Sequence, residues 1–164
     1  MAIVGFVLAA AVAPSPPRDD LPRLAFPLPA ADRKGMHDSF REKRAGRAHE
    51  AVDIMAARGT PVRAVDDGRV AKLFASERGG NTVYQFDPAM RFTYYYAHLD
   101  RYAPGLKEGL PLKRGDLLGY VGSTGNAAAE APHLHFGISR LGPERLWWKG
   151  EAIDPYPLLT AAGS

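Results

Sequence analysis

Between residues 62 and 138 the chain is a succession of short apolar stretches, most of them closed by a turn signal. Residues 62–65 run into Asp66-Asp67-Gly68, 70–74 precede Gly79-Gly80-Asn81, 82–86 meet Asp87-Pro88, and 117–121 meet Gly122. Residues 92–99 and 134–138 complete the series. Stretches this short suit strands joined by tight turns, so the pattern predicts an all-β, antiparallel sandwich or barrel-like domain with few or no long helices. The 17 glycines and 14 prolines agree, being about a fifth of the 164 residues against a usual eighth. No long period repeats, which excludes a solenoid.

One segment departs from this pattern. Residues 47–59, RAHEAVDIMAARG, are rich in helix-forming Ala, Glu, Met and Arg, end on Gly59 and are followed by Pro61. Local propensity alone predicts a helix there. Upstream, Pro22, Pro27 and Pro29 keep the approach to the domain extended. Residues 3–13 form an apolar run, too short for a bilayer span of about 20 residues. Their length matches the apolar region of a secretory signal, and Ala11-Val12-Ala13 has the small-x-small form of a cleavage site. No Lys or Arg precedes the run, and Pro14 would follow the cut. The expectation is a signal-like or anchor segment over 1–19 and one domain over 20–164, with its core at about 24–159, working outside the cytoplasm.

The chain has no cysteine, which excludes a disulfide scaffold, a thiolate zinc finger, an iron–sulfur site and a Cys nucleophile together. Chemistry must rest on oxygen and imidazole. The formal charge is only +3, yet Arg33, Lys34, Arg41, Lys43, Arg44 and Arg47 fall close together with only Asp38 and Glu42 opposing them. Both a solvated mixed-charge loop and a surface that attracts an acidic polymer fit this composition. No aromatic interleaving or nucleic-acid motif is present, so no nucleic-acid partner is expected.

His133-Leu134-His135 is the most informative tripeptide. On a strand, residues two apart share a face at roughly 6.6 Å, which sends Leu134 and Phe136 to the core and both imidazoles to the other side. Two such imidazoles could ligate one metal, or supply one ligand and one catalytic neighbour. His49 and Asp53 are the natural further ligands. Four apart, they are neighbours on a helix, whereas on a straight strand they lie roughly 13 Å apart and need a bend. Two histidines and a carboxylate with an open position for water form a common catalytic zinc arrangement. In Tyr94-Tyr95-Tyr96-Ala97-His98-Leu99, strict alternation places Tyr94, Tyr96 and His98 on one face, and a His there could move a proton or stabilise an oxyanion.

Taken in order, His49-x-x-x-Asp53, Tyr96-Ala97-His98-Leu99 and His133-Leu134-His135-Phe136 resemble the lysostaphin-type, LytM-like zinc metallopeptidases that cut peptidoglycan cross-links. The likeness extends to Pro61-Val62-Arg63-Ala64-Val65-Asp66-Asp67-Gly68-Arg69-Val70, to the Gly-rich run from Arg114 to Asn126, and to Ile153-Asp154-Pro155. It implies the family's antiparallel β-sandwich-like fold, the duplicated hybrid motif. It also implies one zinc on His49, Asp53 and His135, a catalytic pair of His98 and His133, and no helix near the first ligands. Roles within the pair stay open at this point.

The implied function is a monomeric, periplasmic or cell-envelope zinc endopeptidase acting on peptidoglycan stem peptides. The expected bond is a D-alanyl–diaminopimelyl cross-link, since no wall-binding repeat is evident. A non-catalytic regulator of another wall hydrolase and a secreted peptidase on glycine-rich proteins are the alternatives. Degenerate members of the family lose zinc ligands, and this chain keeps all of them. Ala51 stands where the family usually has Gly; it would cost about 1 kcal/mol if the backbone there required positive φ. The basic stretch before His49 is placed to draw a carboxylate-rich wall polymer toward the groove.

Overall fold

The computed structural model describes residues 20–44 and 46–161, and the signal-like segment lies outside the described residues. The strands are β1 (Met36–His37), β2 (Lys43–Arg44), β3 (Arg47–Ala48), β4 (Val52–Met55), β5 (Pro61–Arg63), β6 (Gly68–Ser76), β7 (Gly80–Phe86), β8 (Phe92–Tyr102), β9 (Pro111–Leu112), β10 (Leu117–Val121), β11 (His133–Leu141) and β12 (Gly150–Ile153). One short helix, α1 (Pro155–Ala161), follows. The all-β, antiparallel expectation is borne out. Ten strands form one sheet along the order β1-β4-β11-β8-β7-β6-β9, with β10 joining β5 to β8 and β12 pairing β11, while β2 and β3 make a separate hairpin.

The helix predicted over residues 47–59 is not formed. In its place are β3, a bend, and β4, which is clasped between β1 and β11. Val52 and Ile54 are fully buried, and residues two apart point to nearly opposite sides of a helix but share a face on a strand. Burying two β-branched side chains in the sheet outweighs the local preference for helix. The bend falls on Glu50, at φ 57. Ala51 does not carry positive φ and is 2 % exposed, so the usual Gly is not required there for its conformational freedom.

The core lies under the central strands, where Phe92, Tyr94, Tyr96, Leu134 and Phe136 are fully buried. Buried phenols need partners. Tyr96 donates to Gln85 Oε1 at 2.7 Å and its oxygen accepts the Val65 amide at 3.0 Å, while Tyr94 donates to Asp66 Oδ2 at 3.0 Å. These bonds tie the turn before β6 to the sheet.

β8 is the strand on which the arrangement turns. Through Ala97 it pairs with β11, but at Leu99 the partner on that edge is β10. On its other edge the register against β7 passes from Val83↔Tyr96 to Asn81↔Leu99, so β8 carries an extra residue in between. The consequence is a β-bulge with His98 at φ 61. It reverses the side-chain alternation, so that Leu99 joins Tyr94 and Tyr96 in the core and His98 is released to the opposite face. The expectation that His98 shares a face with Tyr94 and Tyr96 is therefore corrected: it stands on the side of Tyr95.

Two glycines make room for this bulge's support. Gly80 (φ +63) and Gly125 (φ +74) pack backbone against backbone, and a Cβ on Gly80 would collide with the Thr124 main chain. The Gly80→Ala variant is expected to lose more than the left-handed penalty of about 1 kcal/mol, with Tm falling by several degrees at about 2–4 °C per kcal/mol. Thermal denaturation of the purified variant checks this.

Candidate metal centre and active-site groove

The register of β11 places His135 opposite Asp53 on β4 and Ala97 on β8. Leu134 and Phe136 point into the core, as the strand reading of the tripeptide requires, and His133 and His135 face the groove. The bend at Glu50 returns His49 to the same place. Its Nε2 lies 3.0 Å from His135 Nδ1 and 3.3 Å from Asp53 Oδ1, and His135 Nδ1 lies 3.0 Å from that same oxygen.

Those three separations test whether the residues fit a metal. Tetrahedral zinc with bonds of about 2.0–2.2 Å separates its ligand atoms by about 3.3–3.6 Å. The observed triangle is within a few tenths of an ångström of that, and one carboxylate with two imidazoles is a donor set suited to a divalent transition metal. His49, Asp53 and His135 therefore could hold one.

Backbone carbonyls select the imidazole tautomers. His49 Nδ1 meets Ser39 O at 3.2 Å, His98 Nδ1 meets Thr124 O at 2.8 Å, and His133 Nδ1 meets Ala131 O at 2.9 Å. A carbonyl only accepts, so each Nδ1 carries a proton, and in the neutral form of each ring the lone pair is on Nε2. His135 is the exception, turning Nδ1 toward the cluster. The rings of His98 and His133 meet edge to face at 4.9 Å.

The electrostatics sort these groups by charge. Burial favours the neutral acid of Asp53, but its close contacts with His135, His49 and Arg44 override this and hold the carboxyl well below the usual range. Burial pushes His98 down to about 4, against its bond to Thr124, and also lowers His135 despite Asp53. Near neutral pH an ionised Asp53 thus stands beside the neutral imidazoles of His98 and His135. Arg44 supplies the compensating cation, with Nη1 2.6 Å from Asp53 Oδ2 and 3.0 Å from His49 Nε2.

Around the centre lies a groove of about 440 Å³, into which Arg44, Arg47, Arg78, Tyr95 and Asn126 project. An aromatic wall continues outward from His135. Tyr95 lies 5.8 Å from His135, Tyr84 4.7 Å from Tyr95, and Trp147 4.6 Å from Tyr84. Trp148 at the end of this wall is 61 % exposed.

All five residues singled out in the sequence line this centre. Sequence reasoning missed the direct contact of Arg44 with Asp53, the placement of Arg78, and the aromatic wall. The basic stretch was the available signal for Arg44. Trp147 and Arg78 lie in turns far from any ligand in sequence and carry no such signal.

Residues 47–155 match Peptidase family M23, and the chain belongs to that family. It is similar to an L-Ala–D-Glu endopeptidase of Bacillus subtilis, 34% identical over 151 residues, 87% of this chain and 44% of that protein. The catalytic domain of lysostaphin from Staphylococcus simulans superposes with a TM-score of 0.65 at 29% identity, over 76% of this chain and 91% of that one. A zinc-containing peptidase from Vibrio cholerae gives a TM-score of 0.60 at 27% identity, over 71% and 36% of the two chains. The chain thus spans less than half the length of the Bacillus relative.

The lowered pKa of His98 makes metal-free protein acid-sensitive. Its value in the fold, about 4, lies below the ordinary 6.5, so between those pH values the unfolded chain binds more protons. Stability from this group is complete above about pH 6.5 and is lost as pH falls to 4, by at most about 3 kcal/mol. Chelator-treated protein is expected to show that slope in urea unfolding, and His98→Asn, which tolerates the left-handed backbone, to flatten it.

Proposed function

We propose that this chain is a zinc metalloendopeptidase that hydrolyses peptide cross-links of bacterial peptidoglycan in the cell envelope, with residues 20–164 as one catalytic domain. The observation that carries the proposal is the convergence of His49 Nε2, Asp53 Oδ1 and His135 Nδ1 within 3.0–3.3 Å, with two further tautomer-fixed imidazoles beside them. Membership of a peptidase family, and relatives named for cleaving L-Ala–D-Glu bonds and for containing zinc, support the reaction class and the metal. The signal-like run at residues 3–13 supports an envelope location.

His49, Asp53 and His135 would hold the zinc, which when bound would supply a Lewis acid for the scissile carbonyl and lower the pKa of water there toward neutrality. The protein's own residues then handle protons and orientation. His98 and His133 present Nε2 lone pairs. One accepts the proton of the attacking water at Nε2 and, once protonated, gives it to the leaving amine; the other stabilises the developing oxyanion when its own Nε2 carries a proton, as the imidazolium. Thr124 O and Ala131 O hold both rings from behind, so neither must reorganise during the reaction. The low pKa of His98 keeps it ready as an acceptor at neutral pH.

Purified protein is expected to carry about one zinc per chain and to release muropeptides from sacculi, which mass spectrometry would identify. His135→Ala should remove both the metal and the cleavage. His98→Asn should keep the metal and lower kcat by about 10²–10⁴-fold, the usual contribution of a positioned acid–base group. Full zinc occupancy without cleavage of any wall peptide would overturn the enzyme reading in favour of a non-catalytic scaffold.

A further inference from the structure

The charge of the groove exceeds what the metal centre uses. Three guanidinium groups, Arg44, Arg47 and Arg78, line it together with Glu50 as the single carboxylate of the rim. Arg44 is committed, through Nη1 to Asp53 at 2.6 Å and through Nη2 to Glu42 at 3.0 Å. Arg47 and Arg78 make no ion pair with a carboxylate among the described residues, whereas Arg58, Arg91, Arg101, Arg114 and Arg140 all do. Other arginines among the described residues also lack such a pair, Arg41, Arg63 and Arg145 among them, but of the unpaired arginines Arg47 and Arg78 are the ones that line the groove beside the proposed zinc ligands.

Arg78 is also held in place. It occupies the turn between β6 and β7, where Ser76 Oγ accepts the Gly79 amide at 3.0 Å and Arg78 O accepts the Asn126 amide at 3.1 Å. The neighbouring Gly79 O accepts the His98 amide at 2.8 Å. The side chain therefore springs from the same turn that fixes the bulge carrying His98. Arg47 comes from the β2–β3 hairpin, two residues before His49. Lys43, on the same hairpin, does not line the groove. Guanidinium in place of ammonium matters, because its planar fork matches a carboxylate in bidentate fashion and is more weakly hydrated.

We propose that Arg47 and Arg78 form a carboxylate-reading subsite, so that the groove selects peptides bearing a free carboxylate close to the cleaved amide over their amidated counterparts. The inference rests on the peptidase reading and narrows its substrate class. Two carboxylates could supply this chemistry, one on an internal acidic residue flanking the scissile bond and one at the peptide's C-terminus.

A synthetic pentapeptide containing L-Ala–D-Glu, prepared with both carboxyls free, with the glutamyl carboxyl amidated, or with the terminal carboxyl amidated, distinguishes them. The affinity of each for the zinc-loaded His98→Asn protein is measured by calorimetry, and KM and kcat are measured with the wild type. Amidation of the recognised carboxyl is expected to weaken binding and raise KM by about tenfold, as for loss of one charge-assisted pair, with kcat little changed. In Arg47→Gln, Arg78→Gln protein the acid-to-amide ratio should fall to about one, and Arg78→Lys should restore part of it. Equal affinity for all three peptides, or a preference that survives the double substitution, overturns the subsite. A binding preference without cleavage by the wild type of these peptides or of any wall peptide in sacculi upholds the subsite and overturns the peptidase reading alone.

Discussion

The pairing of His135 with Asp53 on one side and with Ala97 on the other decides which side chains can meet. Side chains alternate across a strand, so a slip of one residue along β11 would turn His133 and His135 inward and Leu134 and Phe136 out. Burial of those two apolar side chains is worth roughly 1.5–3 kcal/mol each, which makes the slipped register strongly unfavourable. The same hydrophobic pattern that holds the sheet together therefore aims the imidazoles. The site inherits its precision from the core.

A regular β8 would spoil this arrangement, because alternation would bury His98 with Tyr94 and Tyr96. The bulge costs a left-handed residue and a broken ladder, and it is maintained by bonds on every side. Gly79 O takes the His98 amide, Thr124 O takes its Nδ1, and Thr124 Oγ1 donates to Leu99 O at 2.8 Å. The glycines of this region have a specific use here: Gly80 and Gly125 allow the Thr124 loop to approach the main chain closely enough to make those contacts. Backbone strain is thus stored where the fold redirects a side chain from the core to the groove.

Much of this was legible in the sequence, and the remainder failed for definable reasons. The turn-punctuated apolar stretches disclosed the β architecture, and the spacing of His133 and His135 disclosed their shared face. The requirement for a bend between His49 and Asp53 was also visible, though its location at Glu50 was not. Residues 47–59 misled because helix propensity is local, whereas β4 owes its form to strands far away in sequence. The position of His98 misled for the opposite reason. Alternation is a sound rule for a regular strand, but a bulge is specified by tertiary contacts with Gly79 and Thr124, and nothing within Tyr94 to Leu99 announces it. Arg78 and Trp147 reach the groove only through topology.

The partition of Asp53's two oxygens among three partners links the basic hairpin to the His–Asp–His cluster. A buried carboxylate is stable only if both oxygens are satisfied, and a single cation serving both would blunt the ligand triangle. Here Arg44 takes Oδ2 while Oδ1 faces His49 and His135, so the guanidinium balances the charge and directs the carboxylate to offer one oxygen. Support of this kind from outside a ligand set orients the ligands and tunes their basicity. Arg44 stands on β2 and Arg47 on β3, so one hairpin serves the centre with the first arginine and leaves the second for the groove. What in composition is a local excess of positive charge becomes, in the fold, one arginine bound to the Asp53 carboxylate and another lining the groove.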